Sequence, residues 1–215
     1  MTNDQIVVPE GLTRRARSFI SSHGVRLPIS GVDQHREKWL TLGIPSVEVD
    51  RVQNFAAQWG GLALPPSPQY EGGPKVFLPD TPEESPGGGW CYEAGPQRTA
   101  VPYGFVIGPE GEFGIQAGRW VPLHGSVEGW VESIALAYHA FRWATAINVA
   151  SGEAVEELQL EGYQPVIEVD GMSDSWLRGK DSLVAVYRGV AECMAAPQCR
   201  IAVTYSGLGD WGLNG

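Results

Sequence analysis

The 215-residue chain predicts an α+β domain, with a mostly antiparallel central sheet of about six strands. N-terminal helices and one long helix, over about 126–149, flank that sheet. Three observations predict it. Apolar residues recur at helical spacing near the N-terminus and again from residue 126. Short apolar segments between 89 and 123 are punctuated by glycine and proline, as strands and turns are. The order of elements is helices, a run of strands, a long helix, then strand–helix–strand, which is an α+β arrangement. One domain over 1–215 is expected, made of a helical segment (1–41), a core (42–150) and a C-terminal extension (151–215).

In the stretch LTRRARSFISSH (12–23), Leu12, Ala16, Phe19 and Ile20 share one helical face, and Gly24 is the stop. Pro28 disfavours helix at Leu27. Residues 33–41 give a second short helix with Asp33 as its N-cap. A third follows Ser46, its cap, with Val49, Val52, Phe55, Ala56 and Trp59 on one stripe and Gly60-Gly61 at its end. Residues 62–89 are rich in Pro and Gly and read as a long loop in which KVFL (75–78) is the one strand candidate. Strands are expected at 89–94, 103–108, 112–117 and 119–123, with a hairpin turn at 109–111. Ser126 caps the long helix, Glu128 and Glu132 suit the positive end of its dipole, and Gly152 stops it. Val127, Trp130, Val131, Ile134, Ala135, Tyr138 and Phe141 trace its buried face. Residues 163–169 read as a strand, 181–196 as a helix by length against its valine content, and 199–206 as a strand.

Charge and cysteine usage narrow the function classes. The net charge of −10 argues against a nucleic-acid footprint. From Ser126 to Asp174 there are nine acids (Glu128, Glu132, Glu153, Glu156, Glu157, Glu161, Glu168, Asp170, Asp174) and one base, Arg142. The first 42 residues hold six bases and four acids. The acids either solvate a surface or form a field that steers a cationic partner. Cys91, Cys193 and Cys199 are odd in number and lack a CxxC pair, which reads as a reducing compartment. The N-terminus lacks the basic and apolar regions of a signal peptide, and no run reaches the roughly 18 apolar residues of a membrane span. A cytoplasmic protein is expected.

No motif announces a reaction. GxSxG, P-loop, GxGxxG and HExxH are all absent. PGGGW (86–90) lacks the lysine and following helix of a phosphate cradle and reads as a flexible turn. The spacing of His23, His35, His124, His139 and the three cysteines suits neither a Cys–His nucleophile nor zinc. No catalytic residue, metal or cofactor is expected. The rival reading is an enzyme whose site lies below the 62–89 loop and gathers His124, Cys91 and a carboxylate.

Two groups of residues suit a protein partner instead. Glu153, Glu156, Glu157 and Glu161 recur at helix-like spacing, so they would share a face and repel one another by a few tenths of a kcal/mol per pair. That face either meets a basic partner or is a solvated helix end. Trp59 and Trp130 lie on apolar stripes and belong in a core. Trp39, Trp90 and Trp120 sit at element edges, where both roles stay open. Trp176 and Trp211 sit in polar, glycine-rich contexts, either as interface anchors or as rings folded back over the core.

The segments LGIPSVEVDRVQNFAAQWGGL (42–62) and GEFGIQAGRWVPLHGSVEGWVESIA (111–135) together resemble the SUKH superfamily. The resemblance is carried by Ile44-Pro45 ahead of a helix, Phe55 on it, Gly60-Gly61 at its end, then Trp120 and the Ser126-Val127-Glu128 helix start. Trp59 stands where the family has asparagine, and residues 150–215 lie outside the match. The resemblance implies a six-stranded type of α+β scaffold and a bacterial immunity protein, which binds and blocks a polymorphic toxin such as a nuclease or deaminase. It brings no catalytic residues. The expectation is therefore a non-enzymatic inhibitor of a basic toxin domain, touching neither nucleic acid nor membrane. Glu153, Glu156, Glu157, Glu161, Asp170, Asp174 and Trp176 are its candidate contacts. A regulatory or scaffold protein on the same fold is the other non-enzymatic reading.

Overall fold

A computed structural model describes residues 6–85 and 87–214. The start of the chain read above as lacking a leader, and Pro86 of the PGGGW turn, lie partly or wholly outside the described residues. The fold is α+β, and its β-structure forms three antiparallel sheets of five, five and two strands. The expected single sheet of about six strands is corrected by this: two regions read as helix, 146–149 and 182–187, are strands. The chain divides into two units, Met1–Glu10 with Arg17–Gly111, and Gly11–Ala16 with Glu112–Gly215.

Helix α1 spans Arg14–His23, and Leu12, Ala16, Phe19 and Ile20 are all buried, as their spacing predicts. In the N-terminal unit, β1 (Val25–Arg26) is followed by a 3-10 turn (Val32–His35) and α2 (Arg36–Thr41). Asp33 does not cap a helix; it lies inside the 3-10 turn and accepts from Gln53 Nε2 at 2.5 Å. Helix α3 (Ser46–Trp59) buries Val49, Val52, Phe55 and Trp59. Ser46 is its first residue rather than its cap, because Pro45 supplies the extended turn into the helix. At its end Gly61 takes φ +77°, and a Cβ there would strike the Leu27 carbonyl oxygen.

Strand β2 (Leu62–Ala63) pairs with β1. The KVFL segment joins no regular ladder, yet its backbone is bonded on both sides: Lys75 N to Pro96 O, Leu78 N to Ala94 O, and Phe77 N to Leu62 O. Phe77 is the reason the Pro/Gly loop stays down. Its ring lies 6.0 Å from Phe55 and 5.7 Å from Trp59, at the centre of the core. Strands β3 (Glu83–Glu84), β4 (Trp90–Gly95) and β5 (Gly104–Ile107) pair antiparallel in sequence. Arg51 ties α3 to the end of β5, donating to Gly108 O at 2.7 Å and Pro109 O at 3.0 Å.

In the C-terminal unit, β6 (Phe113–Gln116) and β7 (Trp120–His124) pair antiparallel. Helix α4 runs Val127–Trp143 with Ser126 as its cap, the Gly129 N–H donating to Ser126 Oγ at 3.1 Å. Glu132 does more than suit the dipole. It is buried and accepts from Thr13 N (2.6 Å), Thr13 Oγ1 (2.8 Å) and Arg15 Nη2 (3.2 Å). The predicted apolar stripe is buried through Ala135, but Tyr138 is half-buried and Phe141 is exposed.

The helix ends at Trp143, nine residues before Gly152. After Ala144 the chain becomes β8 (Ala146–Ser151), because Thr145, Ile147 and Val149 favour an extended backbone and a partner strand is at hand. The second five-stranded sheet has the order β8, β12 (Ile201–Ser206), β11 (Ser182–Tyr187), β10 (Ser175–Arg178), β9 (Gln164–Pro165). Only Gln164–Pro165 of the expected 163–169 strand joins it; Ile167–Val169 is a 3-10 turn. All six residues of β11 are buried. A short apolar run of this kind has no period that separates strand from helix. Helix is confined to α5 (Gly189–Cys193), and α6 (Asp210–Asn214) closes the chain.

Candidate protein-binding surface

Strand β8 is the end strand of its sheet and, among the described residues, pairs only with β12, in register from Ala146↔Ser206 to Ser151↔Ile201. The Gly152 N–H donates to Arg200 O at 2.9 Å, which sets the phase of the ladder. By alternation, the N–H and C=O groups of Ile147, Val149 and Ser151 point away from β12. The strand reads AINVAS, with no charge, proline or bulge to block pairing. Its side chains are open too: Ile147 is exposed and Val149 is 67% exposed.

Exposed aromatic residues lie on the helix that precedes this strand in the chain and on α6. Phe141 (71% exposed) and Trp143 stand at the end of α4, and Trp211 (57% exposed) on α6. His139 Nε2 donates to Trp211 O at 3.1 Å, which fastens α6 to α4. The Arg142 guanidinium lies 5.9 Å from the Trp143 ring. Five large apolar side chains (Phe141, Trp143, Ile147, Val149, Trp211) are thus exposed in one unit, four of them within nine consecutive residues.

The acids lie directly downstream of β8. Glu153, Glu156, Glu157 and Glu161 are all exposed, but they do not share a helical face. Glu153 sits in the 3-10 turn Gly152–Val155, and the others follow on irregular chain. That chain is held because Val155, Leu158, Leu160 and Tyr163 pack on Val184, Val186 and Ala202. Glu156 lies between two bases remote in sequence, 3.4 Å from Arg200 and 3.7 Å from Arg188. Glu153, Glu157 and Glu161 form no ion pair among the described residues.

The other three candidates are placed differently. Asp170 is exposed, in left-handed backbone at φ +48°, and its carbonyl accepts from Gly125 N at 2.8 Å beside the start of α4. Asp174 is fully buried and accepts from Arg188 N (3.0 Å) and Gly189 N (3.2 Å) with Oδ1. Trp176 is buried in β10, donates from Nε1 to Ser133 Oγ at 2.9 Å, and stacks on Tyr205 at 5.7 Å. Asp174 and Trp176 build the unit's interior and are closed to a partner in this fold. Trp211, the companion of Trp176 in the sequence, is the one that stays outside.

Sequence reasoning missed β8 itself. Its signal was present in the alternation of Thr145, Ile147 and Val149, overridden by the length of the apolar run before it.

His124 is fully buried, and its Nδ1 donates to Val169 O at 2.9 Å. Burial holds its pKa down at about 4, against a smaller upward pull from that hydrogen bond. Cys91 lies in the N-terminal unit, its thiol pushed up by burial and by Glu83. Burial likewise raises the Cys193 thiol. Neither has the lowered pKa of a reactive thiolate. Among the described residues no group of three or more His, Cys, Asp or Glu is arranged to hold a metal, and no helix is long and apolar enough to cross a membrane. No protein-family model, curated protein or solved structure matches the chain.

Proposed function

We propose that this chain is a non-enzymatic binding protein that captures a basic protein partner along β8 and, as an immunity protein of SUKH type, neutralises a toxin domain by covering its active site. One observation carries the reading: a bare apolar edge strand, flanked by exposed aromatics, runs straight into unpaired carboxylates. Main-chain groups of β8 supply the pairing, as in strand addition to a sheet edge. Phe141, Trp143 and Trp211 supply anchors of the type that dominate interface energy. Glu153, Glu157 and Glu161 supply long-range attraction for a cationic segment, and this sets the association rate more than the final affinity. The partner segment this surface fits is extended, apolar at alternate positions, and basic at the end that meets residues 153–161. A cytoplasmic location accords with three free thiols.

The test compares three baits: the wild-type chain, Val149→Lys, and the triple variant Glu153→Gln, Glu157→Gln, Glu161→Gln. A protein retained by the wild type and lost by Val149→Lys is expected, since a lysine on the edge blocks strand addition. The triple variant should slow its association about tenfold at low salt and flatten the salt dependence. A partner held equally by all three baits overturns the proposal.

A further inference from the structure

The N-terminal unit contains a cavity of about 510 Å³ unrelated to β8, within the size range of small-molecule sites. Its floor is apolar, from Ile29, Leu78 and Trp39. Its polar lining includes Lys38 on α2 and the imidazole of His35 in the 3-10 turn, with Asp80 from the 62–89 loop and Glu93 from β4. His35 and Lys38 are three residues apart on continuous helical chain, so they project from one side. Arg36 fixes that chain to α3 by donating to Asp50 Oδ1 at 2.6 Å.

The acidic side is preorganised. Asp80 Oδ1 accepts from Thr81 N at 2.6 Å, and Thr81 Oγ1 in turn accepts from Trp39 Nε1 at 3.2 Å. This chain of bonds orients one carboxylate oxygen of Asp80 and leaves its other, Oδ2, for a ligand. Glu93 is held above the usual carboxylate range, first by burial and then by the charges of Asp80 and Glu83. Asp80 and Glu93 thus line one cavity and disfavour each other's charge, an arrangement that an incoming ammonium relieves. Lys38, Asp80 and Glu93 form no ion pair among the described residues, although they line one cavity. Each sign of charge is left open for a group the chain does not supply.

We propose that this cavity binds a zwitterion with an apolar body, meaning a free α-amino acid or a short unblocked peptide. The ligand ammonium meets Asp80 and Glu93, the ligand carboxylate meets Lys38 and His35, and the side chain lies over Trp39 and Leu78. Charge-assisted hydrogen bonds at both ends give selectivity for the unblocked molecule. The inference stands independently of partner binding at β8.

Calorimetric titration of the full chain with L-phenylalanine, L-leucine and the dipeptide Leu-Phe tests it, alongside N-acetyl-L-phenylalanine and L-phenylalaninamide. At least one unblocked compound should bind with Kd below about 1 mM, and each block should weaken binding by tenfold or more. Tighter binding of the dipeptide than of either amino acid marks a peptide site; the reverse marks an amino-acid site. In Lys38→Met the amide should bind as well as the acid, and in Glu93→Gln the N-acetyl compound should lose its disadvantage. Both variants change exposed side chains, so folding is checked by their melting curves. No binding by any unblocked compound at 10 mM (a probe concentration about ten times the expected Kd), or equal binding of blocked and unblocked forms, overturns the proposal.

Discussion

Acidification should destabilise the C-terminal unit through His124. The imidazole is fully buried beside Trp130, with ring centroids 5.8 Å apart, and Nε2 has no hydrogen-bond partner among the described residues. Protonation would place a charge where nothing receives the second proton. Its pKa is about 4 in the folded chain and 6.5 when solvated. Below pH 6.5 the unfolded chain takes up a proton that the folded chain refuses. Stability from this group is complete above pH 6.5, falls as pH drops toward 4, and changes no further below that. The interval of 2.5 units, at about 1.36 kcal/mol per unit, corresponds to a loss of about 3 kcal/mol. Urea unfolding at pH 7.5, 6.5, 5.5 and 4.5 measures it, with His124→Asn as the reference. Asparagine retains an N–H for Val169 O and cannot titrate. The variant is expected to be less stable at pH 7.5, because the smaller side chain leaves space, but its stability should fall less between pH 6.5 and 4.5. Subtracting the two profiles removes the contribution of the carboxylates. Parallel profiles would refute the reasoning, and so would an NMR titration placing the His124 pKa near 6.5.

Two further outcomes follow from buried polar groups. Glu132→Ala should cost about 3 kcal/mol or more, read as a lower Tm, since it strands Arg15 and the Thr13 N–H in a buried site. Trp176→Phe should cost about 1–3 kcal/mol by removing the donor to Ser133 Oγ while keeping most of the ring packing on Tyr205. The same variant should leave the on-rate for any β8 partner unchanged in stopped-flow association, as befits an interior residue.

What was legible in the sequence was whatever depended on local pattern. The stripe of Val49, Val52, Phe55 and Trp59 needs only helical geometry to be recognised, and Ser126 needs only a free first turn to cap. The strands at 90–95, 104–107, 113–116 and 120–124 announced themselves by apolar segments between turn residues. Illegible were elements whose identity is decided by a distant partner. Residues 146–151 are a strand because β12, more than fifty positions later, runs beside them. Residues 182–187 are buried on both faces, so the polar side that would have revealed a period of two is missing. The polar neighbours of Trp176 in sequence leave open whether it is an anchor or a ring folded over the core; its neighbours in space, Ser133 and Tyr205, decide for the interior. Of the candidate contacts, the glutamates at 153, 156, 157 and 161 were legible as surface, because nothing apolar shares their positions. Their supposed common face was not, since the chain there follows the packing of Val155 and Leu158 rather than a helical repeat.

The same distinction changes the meaning of the acidic segment. Counted along the chain, nine acids face one base, but Arg188 and Arg200 return in space to occupy Glu156. The usable charge is narrower than the sequence count and sits immediately beyond β8. That position bears on specificity. A bare apolar edge strand invites pairing with any extended chain, another copy of this protein included. Each copy carries a net charge of −10, so approach of two copies is opposed at long range, whereas a basic segment is drawn in. The apolar edge alone would be indiscriminate and the carboxylates alone would hold nothing for long. On the proposed function, together they would favour a cationic strand over the protein's own edge, and raising the salt concentration should erode that preference before it weakens the strand pairing itself.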